Sequence, residues 1–228
     1  MSVPAPHARR RVPAATTAPP AREETMFALP FLDDVPPLLL RDPLAELLGV
    51  VAPGTPYEIR YADCVRVAGH SCLAVAGAWA IAARALPALY GAELPERGAI
   101  EVTALGAPEE LAFGPMALTL GAITGAETGV GFGGLGGRHR RRGLLRFAPE
   151  RFAPNAFELR RMDGAAAVRA TYHPELLRSP GPSPLTLPRL LAGEAGPDEH
   201  GDFVARWQGL VREALLAPPA GLVDLAAI

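Results

Sequence analysis

The chain contains no lysine, so all 22 of its basic residues are arginines. Alanine, glycine and proline are abundant, a bias typical of GC-rich coding DNA, and a count of arginines therefore carries little functional information. The net charge of −2 and the pI near 6.2 argue against a general binder of nucleic acids or acidic membranes. Uninterrupted apolar runs of about 18 residues are also lacking, so the sequence predicts no membrane span.

Cysteine is nearly absent as well. Cys64 and Cys72 are the only two in 228 residues, too few for a disulfide framework, and they favour a reducing, cytoplasmic compartment. No cysteine follows Cys72, which excludes a cysteine-rich zinc finger at the C-terminal end.

Composition divides the chain into an extension and one domain. Residues 1–25 contain five prolines and an arginine triplet, but the apolar segment that a twin-arginine signal needs does not follow. The sequence therefore predicts a disordered extension over 1–25 and a single domain over 26–228. Within that domain, the proline-rich stretch 179–184 is predicted to be a linker.

Two apolar helices and a preceding strand are indicated by periodicity. Asp42 is a predicted N-cap for a short helix, and alternation around Tyr57 and Ile59 predicts a strand over 56–68 that would carry Cys64. Residues 71–91 predict a buried helix that Pro87 ends or kinks. A second apolar helix is predicted over 113–125.

The remaining pattern completes an α+β domain. Strands are predicted over 98–107 and 143–147, and a hairpin is predicted around Asp163-Gly164. Apolar residues at helical spacing beyond 200 predict a C-terminal amphipathic helix docked after the linker: Phe203, Trp207, Leu210, Val211 and Ala214. We expect a mixed or antiparallel sheet packed with two apolar helices and this terminal helix.

His70 and Cys72, in "VAGHSCLAVAG", are the first candidate site. They fall at the predicted start of a helix, where free amides and the helix dipole favour a thiolate. A thiolate with an imidazole suits zinc or another transition metal. A metal site built on two protein ligands needs at least one more donor, and Cys64 is the candidate for the third ligand. The same residues also allow a buried cysteine with a hydrogen-bonded histidine, or, less favourably, a nucleophile with its base.

A loop of seven glycines over 125–137, followed by "RHRRR", is the second candidate site. It matches the GxGxxG pattern twice. A dinucleotide-binding loop follows a strand, however, and this loop follows a predicted helix, so we exclude an NAD site. Arg138, Arg140 and Arg141 beside flexible amides could hold a carboxylate or phosphate, or form a solvated loop. Nucleic acid ranks last because no aromatic platform accompanies the charges.

Four segments, "AGHSCLAVAG", "ELPERG", "ITG" and "GGRHRRRGLL", occur in the order found in the bacterial branch of the FmdE family, which the chain resembles over about residues 31–216. The family is named for a gene of the molybdenum formylmethanofuran dehydrogenase operon. The resemblance implies an α+β core with a metal site, zinc being the first choice, on the GHxC motif at His70 and Cys72. Leu73 replaces the family's proline. Phe113 and Ala126 stand where some relatives have cysteines, so the thiols that would support redox chemistry there are missing.

Two functions follow from these observations. The first is a cytoplasmic FmdE-like protein that binds a transition metal through His70 and Cys72, with the arginine loop forming an anion-receptive wall of the same cleft. The second is a noncatalytic accessory protein in which the loop binds a partner or anion and GHSC is structural. Neither identifies a catalytic residue or a substrate. The apolar helices leave homodimerisation open.

Overall fold

The computed structural model describes residues 27–228, and Phe31–Ile228 packs as one compact unit. The predicted extension over 1–25 lies outside the described residues. Within the described part the α-helices are α1 (Pro43–Leu47), α2 (Tyr61–Ala68), α3 (Leu73–Tyr90), α4 (Phe113–Thr124), α5 (Thr186–Leu191) and α6 (Pro197–Leu216). The strands are β1 (Leu38–Leu40), β2 (Tyr57–Ile59), β3 (Ile100–Ala104), β4 (Leu145–Phe147), β5 (Ala156–Arg161), β6 (Ala167–Tyr172) and β7 (Val223–Ala227).

The main sheet is mixed, in the order β4-β3-β5-β6-β7. β3 runs parallel to β4 and antiparallel to β5, and the remaining pairs are antiparallel. The predicted hairpin is confirmed, because β5 pairs with β6 around Asp163 and Gly164. β1 and β2 form a separate antiparallel pair. The fold is therefore α+β, as the sequence predicts.

α3 and α4 are the two buried helices that the apolar pattern predicts. α3 packs on α4, α6 and β6, and nearly all of its central residues, from Val75 to Ala82, are buried. Gly77 lets the two elements approach closely, since a Cβ there would lie 2.5 Å from the ring of Tyr172 on β6. Gly125, in the left-handed conformation with φ 73°, ends α4 as expected.

By length and hydropathy, α3 is the one helix within residues 27–228 that could cross a membrane. In the fold, 67% of that segment is buried by the neighbouring elements.

The structure corrects the strand predicted over 56–68 and adds elements that the sequence does not predict. Strand β2 ends at Ile59 and helix α2 follows, because the Asp63 carboxylate accepts a hydrogen bond from the amide of Arg60 at 2.8 Å and starts a helix there. Cys64 is consequently helical. α3 continues through Pro87 to Tyr90. The predicted linker is irregular but leads into an unpredicted helix, α5. α6 packs on α3, and the chain returns after it to form β7, a strand that the sequence does not predict.

Candidate functional site

The turn between α2 and α3 carries His70 and Cys72. Gly69 ends α2 with a left-handed backbone (φ 75°) and turns the chain toward His70. Helix α6 holds the same turn from the other side, because Trp207 Nε1 and Gln208 Nε2 donate to the Ser71 carbonyl at 3.1 and 3.2 Å. The turn is therefore fixed by a local glycine cap at one end and by tertiary hydrogen bonds at the other.

The exposed imidazole of His70 is held in one tautomer. Its Nδ1 lies 2.9 Å from the carbonyl oxygen of Ala68, which can only accept a hydrogen bond. Nδ1 must therefore carry the proton, and in the neutral ring Nε2 keeps its lone pair. A backbone carbonyl on the opposite ring nitrogen is the arrangement that usually orients a metal-binding histidine.

Cys72 occupies the N-cap position of α3 and is partly exposed. The N-cap position brings this residue to the free amides of a long helix, and its side chain makes no capping hydrogen bond to them. The phenols of Tyr61 and Tyr172 lie close enough to interact electrostatically with Cys72, and burial raises the pKa of both phenols, which keeps them neutral. The enclosed hydroxyl of Tyr172 has no hydrogen-bond partner in the described part of the chain.

Cys64, the predicted third ligand, has a different environment. It is buried in α2, and desolvation, with a smaller contribution from Asp63, raises the pKa of its thiol to about 12. In the metal-free protein this thiol therefore ionises less readily than an ordinary cysteine. Among residues 27–228 no three His, Cys, Asp or Glu side chains come close enough together to hold a metal ion.

The glycine-rich loop is ordered by its own hydrogen bonds. The amides of Arg141 and Arg142 both donate to the carbonyl of Phe132, at 3.0 and 2.9 Å. Leu135 and Arg138 exchange two backbone hydrogen bonds of 2.9 Å across a tight turn at Gly136 and Gly137, both with positive φ. This turn needs glycines at its tip, and the exposed Arg138 follows it, after which the chain runs back toward the domain.

A buried ion-pair network anchors that returning chain. Asp42, whose side chain is 2% exposed, accepts a hydrogen bond from Arg97 at 2.7 Å and two from Arg141 at 2.8 Å. Arg97 also donates to the carbonyls of Ala122 and Ile123 at the end of α4. Burial alone would raise the pKa of Asp42, but hydrogen bonds from the Ala45 amide and from the two guanidiniums outweigh it and lower the pKa below its usual value.

Beside this network is a cavity of about 330 Å³. Its lining includes Arg97, Arg140 and Arg141 together with His139. Arg140 is exposed and, within residues 27–228, its side chain pairs with no carboxylate. Arg138 does not line the cavity. Of the three arginines predicted to bind an anion, the structure therefore brings Arg140 and Arg141 to one cavity and leaves Arg138 outside it.

The cavity lined by Arg140 contains no residue of the turn over 69–72, so the expected single cleft is not formed by these two segments. Two residues of the buried ion-pair network, Asp42 and Arg97, are not among the candidate site residues that the sequence indicates. Asp42 was visible only as an N-cap and Arg97 only as part of "ELPERG". No protein-family model matches the chain, and comparison with curated proteins finds no similar sequence.

Proposed function

We propose that the protein is an FmdE-like binding protein that holds a small anion in the cavity beside Arg140. The unpaired guanidinium of Arg140 at the edge of a fixed arginine cluster carries this proposal. It corresponds to the second of the two functions that the sequence indicates, with the arginine loop as the ligand-binding element. The resemblance to FmdE supplies the scaffold and rests on the quoted motifs alone.

The charge balance of the cavity favours an anion. Asp42 binds both Arg97 and Arg141 and can neutralise only one of them. Glu96, the one acidic residue in the lining, already lies 3.4 Å from Arg41. The cavity therefore keeps an excess of positive charge, and guanidinium groups bind carboxylate or phosphate oxygens with strong, directional hydrogen bonds.

The cluster is also preorganised. Arg97 and Arg141 are only 11% and 13% exposed, and Asp42 fixes both guanidiniums before any ligand arrives. Groups that are already ordered lose little conformational entropy on binding. A single exposed side chain, Arg140, then completes the contact with the anion.

Isothermal titration of the full chain with inorganic phosphate tests this proposal. We expect Arg140→Gln to weaken phosphate binding by about tenfold to a hundredfold, since a hydrogen bond to a charged group contributes about 1.5–3 kcal/mol. Arg138→Gln is the matched control, because Arg138 belongs to the same loop but lies outside the cavity. Equal losses in the two variants, or none in either, would contradict the proposal.

A second candidate function, binding of a divalent transition metal, is favoured by the tautomer of His70. Nε2 of His70 and the partly exposed thiol of Cys72 are chemically suited to zinc. A closed structural site does not fit residues 27–228, which provide no third ligand nearby. His70 and Cys72 are instead compatible with a site of two protein ligands whose other coordination positions are filled by water. A metal held there would supply Lewis-acid chemistry at those open positions.

Titration of the full chain with Co²⁺ tests the metal site through the near-ultraviolet absorption band of a cobalt–thiolate bond. We expect the band in the wild type and its loss in His70→Ala and Cys72→Ala. Cys64→Ala should keep the band, since that buried thiol ionises less readily; a band that depends on Cys64, or no band at all, would refute the assignment.

A further inference from the structure

A groove that takes no part in anion or metal binding runs between α3, the end of α6 and the segment that leads into β7. It encloses about 390 Å³, within the range of about 300–1,000 Å³ typical of small-molecule sites. We infer that this groove binds a small amphipathic carboxylate, with its hydrocarbon body in the groove and its carboxylate on Arg84.

Small side chains on two facing helices create the space for an apolar body. Ala80 and Ala83 of α3 and Ala214 of α6 all line the groove, and none of them reaches far from its backbone. Trp79, which is 4% exposed, also lines it. Flat and aliphatic surfaces of this kind bind hydrocarbon, at about 25 cal/mol for each Å² removed from water.

The opposite wall is stiff. It is built from two proline pairs, Pro36-Pro37 ahead of β1 and Pro218-Pro219 after α6. Proline fixes its own φ and restricts the residue before it. The groove is thus shaped before a ligand enters, which lowers the entropy cost of binding.

Arg84 determines the charge of the ligand. It lines the groove and is exposed, and within the described residues its guanidinium forms neither an ion pair nor a hydrogen bond. No acidic residue is present in the lining. One cation on an otherwise apolar wall matches a monoanion, and a planar guanidinium fits a carboxylate in a two-bond contact.

The same features argue against phosphate in this groove. A dianion is strongly hydrated, and apolar walls cannot replace the hydrogen bonds that it would lose. The groove and the cavity beside Arg140 share no lining residue, so the two sites can be tested separately. The inference about the groove consequently does not depend on the proposed anion function.

Titration calorimetry of the full chain with sodium octanoate provides the test. We expect the wild type to bind octanoate saturably and Arg84→Gln to bind it about tenfold more weakly. 1-Octanol has the same chain length but no charge, so the wild type should bind it only as weakly as Arg84→Gln binds octanoate. Ala83→Leu should abolish octanoate binding by filling the groove, and because Ala83 is exposed, the fold should tolerate it. Tryptophan emission should change with the same midpoint, because Trp79 lies in the groove.

Two variants serve as controls. Arg212→Gln removes an exposed arginine of α6 that lies outside the groove, and Arg140→Gln removes the cation of the other cavity. Both should bind octanoate as the wild type does. The inference fails if the wild type shows no saturable binding, if Arg84→Gln binds octanoate unchanged, or if Arg140→Gln is the variant that loses it.

Discussion

Asp42→Ala is expected to lower the free energy of unfolding by about 3–5 kcal/mol, the range for breaking a buried ion pair from one side. The Asp42 side chain is 2% exposed, and its loss leaves the guanidiniums of Arg97 and Arg141 without their shared carboxylate. The substitution also removes the N-cap of α1, where Asp42 accepts hydrogen bonds from the amides of Leu44 and Ala45. Urea unfolding followed by circular dichroism measures the change.

Asp202→Ala is the control for this experiment. Asp202 pairs with Arg206 on the exposed surface of α6, so its loss should cost only about 0.3–0.5 kcal/mol. If Asp42→Ala costs no more than Asp202→Ala, the network around Asp42 does not stabilise the fold.

The stability of the folded protein should depend on pH because the pKa of Asp42 is lowered. Its ordinary value is 3.8, and the folded protein holds it below that. The stabilisation is therefore complete above the ordinary pKa and is lost as pH falls through the lower, folded-state pKa. Asp42→Asn, which cannot ionise, should show a flatter loss of stability with acid than the wild type.

Gly77→Ala is expected to destabilise the protein by about 2–3 kcal/mol, at the upper end of the range for overpacking a core. The added Cβ would lie 2.5–2.9 Å from three ring atoms of Tyr172, closer than such atoms approach in folded proteins. Tyr172 cannot move aside easily, because it is 3% exposed and belongs to β6, which is paired with a strand on each side. Thermal and urea unfolding measure the loss.

Gly209→Ala should have the opposite sign. Gly209 also lies within a helix, α6, but a Cβ there meets no atom within 4 Å. Alanine should then stabilise the helix by about 0.5–1 kcal/mol relative to glycine. Similar effects of the two substitutions would show that α3 and β6 are not closely packed at Gly77.

Much of the architecture could be predicted from local pattern. The α3 and α4 helices are long and apolar, and hairpin β5–β6 has an unambiguous turn at Asp163-Gly164. α2 was missed because Tyr57, Ile59 and Tyr61 alternate like a strand, while the helix start depends on one contact from Asp63 to the Arg60 amide. β7 is five residues long and gains its partner, β6, only from the tertiary fold.

The candidate sites were less predictable because side-chain partners far apart in sequence leave no local pattern. The N-cap role of Asp42 follows from the sequence, but its bonds to Arg97 and Arg141 connect positions 55 and 99 residues away. Arg138, Arg140 and Arg141 are equivalent in the string "RHRRR". The folded loop distinguishes them, because Arg140 and Arg141 line the cavity and Arg138 does not.

The carboxylate of Asp42 also acts as a noncovalent cross-link. By binding Arg97 and Arg141 it joins three distant stretches of chain at one point and closes two long loops of polypeptide. Closing a loop costs entropy that grows only slowly with length, by about 0.6 kcal/mol for each doubling. Insertions elsewhere in those loops should thus be cheap, whereas loss of the single carboxylate would release both loops at the point where they close.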